Sequence, residues 1–283
     1  MLMLARHPSA TGLRSAVFIA TLLLGPVAAA APARADDDAL YRARAFVTGQ
    51  GESERARGMA LCLADVLVKV SGDPQLRGDA RLKPLESEAA RLVARFSYHD
   101  RMAGLPLHDE QGTRDRPFDL TVAFDPGRID GALRSLGLQP WPLPRPAVMV
   151  LLGIRDGAGV SYVLAGNGGR GLGQRLSLAA AGERSGLPVR LPDSAGLAAR
   201  QLTYEELAAA TPARLKALSR SFDGAPLLAG RLDWDEAAGG WNTRWRFSGA
   251  GKERDWQIRG VSFDEDFRRS VDRTMGILSG HER

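Results

Sequence analysis

Apolar residues recur at three- and four-residue spacing along residues 53–71. The repeating positions are Met59, Cys62, Leu63, Val66, Leu67 and Val70. This spacing predicts an α-helix with one buried stripe, because about 3.6 residues complete each helical turn. Gly72 marks the end of this predicted helix, since glycine readily adopts the left-handed backbone found just after a helix.

The rest of the N-terminal half alternates between strand-like and helix-like patterns. The predicted strands cover residues 40–49, 96–103 and 117–124, and the other predicted helices cover residues 82–96 and 126–136. The resulting order is β-α-α-β-β-α. It predicts an α+β domain in which a short antiparallel sheet packs against helices.

A proline-rich segment divides the chain. Prolines occupy alternate positions at Pro140, Pro142, Pro144 and Pro146. Such a segment favours an extended backbone and does not fit the interior of a helix or of a central strand. The sequence therefore predicts two small domains, at residues 36–139 and 147–283, joined by a linker at residues 140–146.

The C-terminal half reads as an α/β-type domain with a mixed or antiparallel sheet. An apolar strand at 147–154 and a second strand at 160–165 flank Asp156-Gly157, which predicts a hairpin. Further strands are predicted at 187–192, 225–234, 240–248 and 253–261. Two capping boxes, Thr203 with Glu206 and Ser262 with Glu265, predict helix starts.

The N-terminal segment has the pattern of a secretory signal peptide. Two arginines precede an apolar run at 16–30, and Ala33-Arg34-Ala35 follows as a cleavage motif. We expect cleavage after Ala35, which makes residues 1–35 the signal peptide. The remaining chain is expected to be soluble, exported and periplasmic in a Gram-negative cell, with no integral membrane segment.

Cleavage would also change the charge balance. Residues 1–35 hold three of the 38 Lys and Arg and none of the 33 Asp and Glu, so 35 basic residues would face 33 acidic ones. This balance and an exported location do not indicate a nucleic-acid partner. We expect no cofactor and no metal, and the oligomeric state stays open.

Several residues suggest catalytic chemistry when taken singly. His99-Asp100 and His108-Asp109 lie near a strand-to-strand loop and lack the spacing of metal ligands on a helix. Lys69 and Ser71 are two positions apart on a helix, so their side chains diverge. Cys62 is the single cysteine and lies on the apolar stripe, which predicts a buried, inert thiol.

A glycine loop matches the dinucleotide pattern G-x-G-x-x-G at Gly166–Gly171. A working site of that kind needs a strand, the loop and a helix inside a parallel βαβ unit. The strand before the loop instead reads as the second arm of a hairpin. We therefore interpret the segment as a plain loop, and only Arg170 and Arg175 suggest an anion contact.

The last predicted strands carry many tryptophans and arginines. On the strand at 240–248, Trp241 and Trp245 share one face, and Arg244 and Arg246 share the other. Indoles stack on sugars, and guanidinium groups bind carboxylates or phosphates; a tryptophan face can equally be core. The predicted contact or ligand face comprises Trp241, Arg244, Trp245, Arg246, Arg231 and Arg259.

The order of several motifs resembles the family catalogued as domain of unknown function 2066. The motifs include LADVLVKVSG at 63–72, LTVAFD at 120–125, LGLQPWPLPRP at 136–146, SGLPVRLPD at 185–193, LLAGRL at 227–232 and GWNTRW at 240–245. The resemblance implies an exported proteobacterial protein and supplies no catalytic residues.

Together, these observations lead us to expect a non-catalytic binding or scaffolding protein of the cell envelope, whose partner is another envelope protein. The alternative is a binding module or weak hydrolase for an anionic glycan or lipid. That alternative requires an exposed Trp241 or Trp245 beside Arg244, Arg246 or His108.

Overall fold

A computed structural model describes residues 38–104 and 116–282. The predicted signal peptide, with its cleavage site after Ala35, and His108 lie outside the described residues. The fold is α+β, as predicted, with two sheets that pack against helices.

The N-terminal part follows the predicted order of elements. Its elements are β1 (Arg42–Thr48), α1 (Glu52–Ser71), α2 (Lys83–Ser87), β2 (Val93–Asp100), β3 (Pro117–Phe124) and α3 (Pro126–Ser135). The strands form an antiparallel sheet in the order β1-β3-β2. The helix predicted at 82–96 is shorter than expected, because residues from Val93 onward pair with β3 and gain ladder hydrogen bonds there.

Helix α1 covers one face of this sheet. Its predicted apolar stripe is buried, which confirms the periodicity argument. Gly58 lies where α1 crosses the sheet, and a Cβ at that position would come within 2.7 Å of Val47 and Leu120. Gly72 ends the helix with a left-handed φ of 72°. The close approach buries the middle of α1 against β1 and β3.

The C-terminal part is built on a six-stranded mixed sheet. Its elements are β4 (Val148–Arg155), β5 (Ser161–Val163), α4 (Leu172–Ser185), β6 (Val189–Arg190), α5 (Ser194–Ala199), α6 (Tyr204–Ala209), α7 (Pro212–Ser221), β7 (Leu227–Asp235), β8 (Gly240–Gly249), β9 (Lys252–Val261) and α8 (Phe263–Ser279). The main path runs β5-β4-β7-β8-β9, and β6 also pairs with β4.

Helices lie on both sides of this sheet. On one side, α8 contacts β8 and β9 and packs on α4, burying Trp245 and Phe247. On the other side, α5, α6 and α7 contribute leucines to a smaller apolar cluster over β4 and β7. Both predicted N-caps form, since the side chains of Thr203 and Ser262 accept hydrogen bonds from the backbone amides of Glu206 and Glu265. The two glutamate side chains bind arginines instead of closing the capping boxes.

The proline segment packs between the two parts. Its backbone bends at Leu143 and Pro144, which are joined by a cis peptide bond, so the segment is not extended throughout as predicted. The Trp141 amide donates to the Val70 carbonyl at 2.8 Å. The Arg145 guanidinium donates to the carbonyls of Val70 at 3.2 Å and Gly186 at 2.8 Å, and it stacks over the Trp141 ring at 4.5 Å. Arg145 therefore satisfies carbonyls at the C-terminal ends of α1 and α4, where a positive charge is favourable.

One continuous cluster of buried apolar side chains extends through both parts of the chain. Ion pairs add to this contact: Asp65 of α1 pairs with Arg184 of α4 at 2.9 Å and with Arg77 at 3.2 Å. Arg77 also pairs with Asp272 of α8. The division into domains at 36–139 and 147–283 stays a prediction, and the structure adds that the two regions share packed apolar surface.

Candidate functional site

The predicted contact face lies on the antiparallel meander of β7, β8 and β9. The register places Arg231 opposite Arg244 and Ala229 opposite Arg246. In β9, Gln257 lies opposite Arg244, and the Arg259 guanidinium donates to the Gln257 side chain at 2.8 Å. We call the sheet surface formed by Arg231, Arg244, Arg246 and Arg259 the arginine face.

The two tryptophans of the predicted set lie on the opposite face. Trp245 has no exposed surface and packs edge-on against Phe267 of α8. Trp241 is half-buried between Trp234 and Phe263. Trp245 is therefore a core residue rather than a contact residue, because the amphipathic helix α8 needs an apolar surface to cover.

The arginine face contains two arginines on adjacent strands at directly opposed positions. Arg231 is partly neutralised by Asp233, whose carboxylate accepts from its Nε at 2.8 Å. Arg244 is exposed, and among the described residues it has neither an ion pair nor a side-chain hydrogen bond. Like charges placed opposite each other destabilise a sheet. An acidic group bound between the two guanidiniums would remove this repulsion.

Tyr204 and Asp233 lie beside these arginines and are hydrogen-bonded to each other. The Tyr204 hydroxyl donates to the Asp233 carboxylate, and Arg155 stacks on the Tyr204 ring at 4.4 Å. Burial and the bond to Asp233 raise the pKa of Tyr204 to about 12. Tyr204 is therefore a neutral donor near neutral pH, and it fixes the carboxylate that orients Arg231.

Arg246 is tied to the neighbouring helices. Its guanidinium donates to the Ala210 carbonyl and lies 3.5 Å from the carboxylate of Asp255, which is largely exposed. A groove of about 310 Å³ opens here between the α6–α7 connection and the last two strands. Its lining includes Ala210, Pro212, Leu215, Arg246, Arg254 and Asp255.

The glycine loop lacks the topology of a dinucleotide site. Strand β5, which precedes it, is antiparallel to β4, whereas β6, which follows α4, is parallel to β4. The Arg175 guanidinium donates to the carbonyls of Gly168 and Arg170. The loop carbonyls thus accept hydrogen bonds from the cationic side chain of Arg175. A pyrophosphate would instead need backbone N–H groups that point toward it.

The other residues singled out in the sequence lie apart from this face. His99 is exposed on β2, and His108 lies outside the described residues. Lys69 donates to the carbonyls of Ala39 and Arg42, whereas Ser71 donates to Leu67, so the two side chains diverge. Within residues 38–104 and 116–282, no cluster of His, Cys, Asp or Glu could hold a metal ion.

Cys62 is a buried free thiol. Burial raises the pKa of its thiol to about 12. Because the thiolate is the nucleophilic form, this thiol is inert near neutral pH, as its place on the apolar stripe predicts.

Sequence reasoning missed one buried acid. Asp266 has no exposed surface and accepts hydrogen bonds from Thr243 and from Trp245 Nε1. The sequence showed only that Asp266 lies in the first turn of the helix predicted to begin after Ser262. No pattern could show that the Trp245 indole would lie against this turn.

Comparison with known proteins gives a family match to part of the chain. A family described as a domain of unknown function (DUF8605) matches residues 35–142. No curated protein and no solved structure matches the chain. The uncharacterised match covers β1 through α3 and ends within the proline segment. None of the helices in the described part of the chain is long and apolar enough to cross a bilayer.

Proposed function

We propose that this chain is a non-catalytic binding or scaffolding protein of the cell envelope, which contacts an acidic surface of another envelope protein through the arginine face. The observation that carries the proposal is the opposed pair Arg231 and Arg244, of which Arg244 is exposed and without an acidic partner among the described residues. A carboxylate from a partner would relieve the repulsion between them.

The geometry of the face suits a protein partner. Arg244, Gln257 and Arg259 are exposed on adjacent strands, and Asp233 holds the Arg231 guanidinium in place. Arginine is enriched at protein interfaces, and its planar fork binds carboxylates through paired hydrogen bonds. Arg244 is therefore the residue that we expect to make the strongest contact.

An exported location is part of the proposal. It is supported by the signal-peptide pattern of residues 1–35, with its expected cleavage after Ala35. The family match begins at residue 35, next to that position. The assignment to the proteobacterial 2066 family remains a prediction from the motif order.

The second candidate function is binding of an anionic glycan or lipid, and the groove beside Arg246 is the observation that favours it. For such a ligand, the sequence pattern suggested an exposed indole beside the arginines. Trp241 and Trp245 lie on the other side of the sheet, so the groove would have to bind through Arg246 without aromatic stacking.

The test is in-cell crosslinking of a tagged copy, followed by mass spectrometry of the captured proteins. We expect a reproducible envelope protein with the wild type and its loss with the Arg244→Glu, Arg246→Glu double variant. The control is Lys83→Glu with Arg134→Glu, which makes the same charge change at exposed positions on α2 and α3. Capture that survives in the first variant, or that is equally lost in the control, would contradict the proposal.

A further inference from the structure

The three-stranded sheet has a second face, which α1 does not cover. We call it the outer sheet face. Its side chains are those that alternate with the buried positions Val47, Leu120 and Val122. They include Arg42, Arg44 and Phe46 of β1, Asp119, Thr121 and Ala123 of β3, and Arg95, Ser97 and His99 of β2. No element in the described part of the chain packs over them.

Arginines of β1 and β2 flank the central strand β3, whose side chains on this face include the small residues Ala123 and Thr121. Arg42 and Arg95 pair with opposite sides of Ala123, so their Cα atoms lie about 10 Å apart with only a methyl group between them. Arg44 lies beyond Thr121 in the next row. Within the described chain, the side chains of Arg42, Arg44 and Arg95 have no hydrogen bonds or ion pairs.

Acidic groups on the face are few. Asp119 is the one acid among its paired strand positions, and its carboxylate lies 4.0 Å from Arg101. Arg101 follows β2 and extends back over the sheet, since its guanidinium stacks over the Phe46 ring at 5.5 Å. Four arginines therefore share the surface with one carboxylate. A ligand that complements this surface must therefore carry a strong negative charge.

An apolar side chain lies at one end of the same face. Phe46 is paired with Asp119 there and is 47% exposed. Basic side chains beside exposed aromatic and aliphatic groups are the pattern of a surface that lies in a membrane interface, with the apolar groups below the headgroups. An acidic protein would match the arginines but would give no role to the exposed Phe46.

We propose that the outer sheet face binds the surface of a bilayer that contains anionic phospholipids. Guanidinium groups bind lipid phosphates through paired hydrogen bonds, and the negative potential of the bilayer attracts all four arginines. Phe46 enters the interface beside Arg101. This face is on a different sheet from the arginine face, so the two surfaces can be tested separately.

The test is co-sedimentation with vesicles, using the protein as recovered from expressing cells. One set of vesicles is phosphatidylcholine, and the other is an equal mixture of phosphatidylcholine and phosphatidylglycerol. We expect the protein to sediment with the mixed vesicles and not with pure phosphatidylcholine. Each arginine contributes about fivefold in affinity, so Arg42→Gln with Arg44→Gln is expected to weaken binding by about 25-fold.

The matched control is Lys216→Gln with Arg220→Gln, which removes two exposed charges from α7 in the other part of the chain. Both double variants should keep the wild-type melting temperature, since all four side chains are exposed. Phe46→Ser should reduce vesicle binding while leaving the charge unchanged.

Three outcomes would overturn the proposal. The first is equal binding to both kinds of vesicle, and the second is an equal loss of binding in the control variant. The third is binding of soluble polyglutamate that depends on Arg42 and Arg44 without any binding to vesicles. That result would assign the outer sheet face to an acidic protein.

Discussion

Asp266 connects α8 to the last sheet through a single carboxylate. It lies in the first turn of the helix, has no exposed surface, and accepts hydrogen bonds from Thr243 and Trp245. Burial raises the pKa of this carboxyl to about 6, although its two hydrogen-bond donors act in the opposite direction. The folded protein therefore binds a proton at Asp266 more tightly than the unfolded chain does.

This shift predicts a pH dependence of stability. An unfolded aspartate has a pKa of about 3.9, so between about pH 4 and pH 6 the folded state holds more protons at this residue. The free energy of unfolding should fall as pH rises through this window, by about 3 kcal/mol in total. Urea denaturation at a series of pH values measures it, and Asp266→Asn should remove the slope.

Asp264 provides the control for that measurement. It lies two residues earlier in the same helical turn and is exposed, so Asp264→Asn changes the same charge without changing a buried group. The wild-type slope should remain in this variant. A slope that persists in Asp266→Asn would show that another group is responsible.

At the scale of elements, the contact between β7 and β8 depends on a glycine. Gly230 pairs with Trp245, and a Cβ at Gly230 would overlap the indole ring. The absence of a side chain in β7 lets the largest buried side chain of β8 lie flat across both strands. Helix α8 then covers the indole through Phe267.

This packing predicts that Gly230→Ala is destabilising. The added methyl group must displace a fully buried indole, which costs about 1–3 kcal/mol of unfolding free energy. Thermal or urea denaturation would measure the loss.

Gly173→Ala is the matched substitution for this prediction. Gly173 lies in the first turn of α4, and its nearest neighbour would be Phe263 at 3.8 Å, an ordinary contact. Alanine in a helix is favoured over glycine by about 0.5–1 kcal/mol, so this variant should be as stable as the wild type or more so. Equal destabilisation by both substitutions would argue against the Gly230 contact.

At the scale of the whole molecule, the two sheets are joined through α1, α4 and the proline segment. Arg145 donates to carbonyls that end helices in different parts of the chain, and Asp65 pairs with Arg184 across the same junction. The buried apolar cluster continues through this region. Unfolding one part would expose apolar surface of the other.

We therefore expect the two parts to unfold in one transition. Tryptophan fluorescence reports mainly the C-terminal sheet, and amide exchange at Val66 and Leu67 reports α1. Both probes should give the same urea midpoint. Arg145→Ala should lower both midpoints equally. The free energy of unfolding should fall by about 1–3 kcal/mol, because the variant lacks the hydrogen bonds to both helix ends.

Arg134→Ala is the control, since Arg134 is exposed on α3. It should leave both midpoints unchanged. Two separate midpoints in the wild type would instead support independent domains at 36–139 and 147–283.

The local elements could be predicted from the amino-acid sequence. The apolar stripe of α1, the hairpin at Asp156-Gly157, the N-caps at Thr203 and Ser262 and the alternation along β8 follow from backbone geometry and from the periods of helices and strands, which are visible in short windows. The separation of Trp245 from Arg244 onto opposite faces was therefore predictable.

Which surfaces are exposed could not be predicted in this way, because it depends on tertiary contacts. Alternation along a strand gives two faces but does not say which face a helix will cover, because that depends on contacts between residues distant in the chain. It took the docking of α8 to make Trp245 core, to bury Asp266 and to leave Arg244 exposed. In the same way, α1 packs on the face of the first sheet that carries Val47 and Leu120, and Arg42, Arg44 and Arg95 lie on the other face. The free-energy cost of burying guanidinium groups without partners is far larger than the free energy gained by burying Val47 and Leu120.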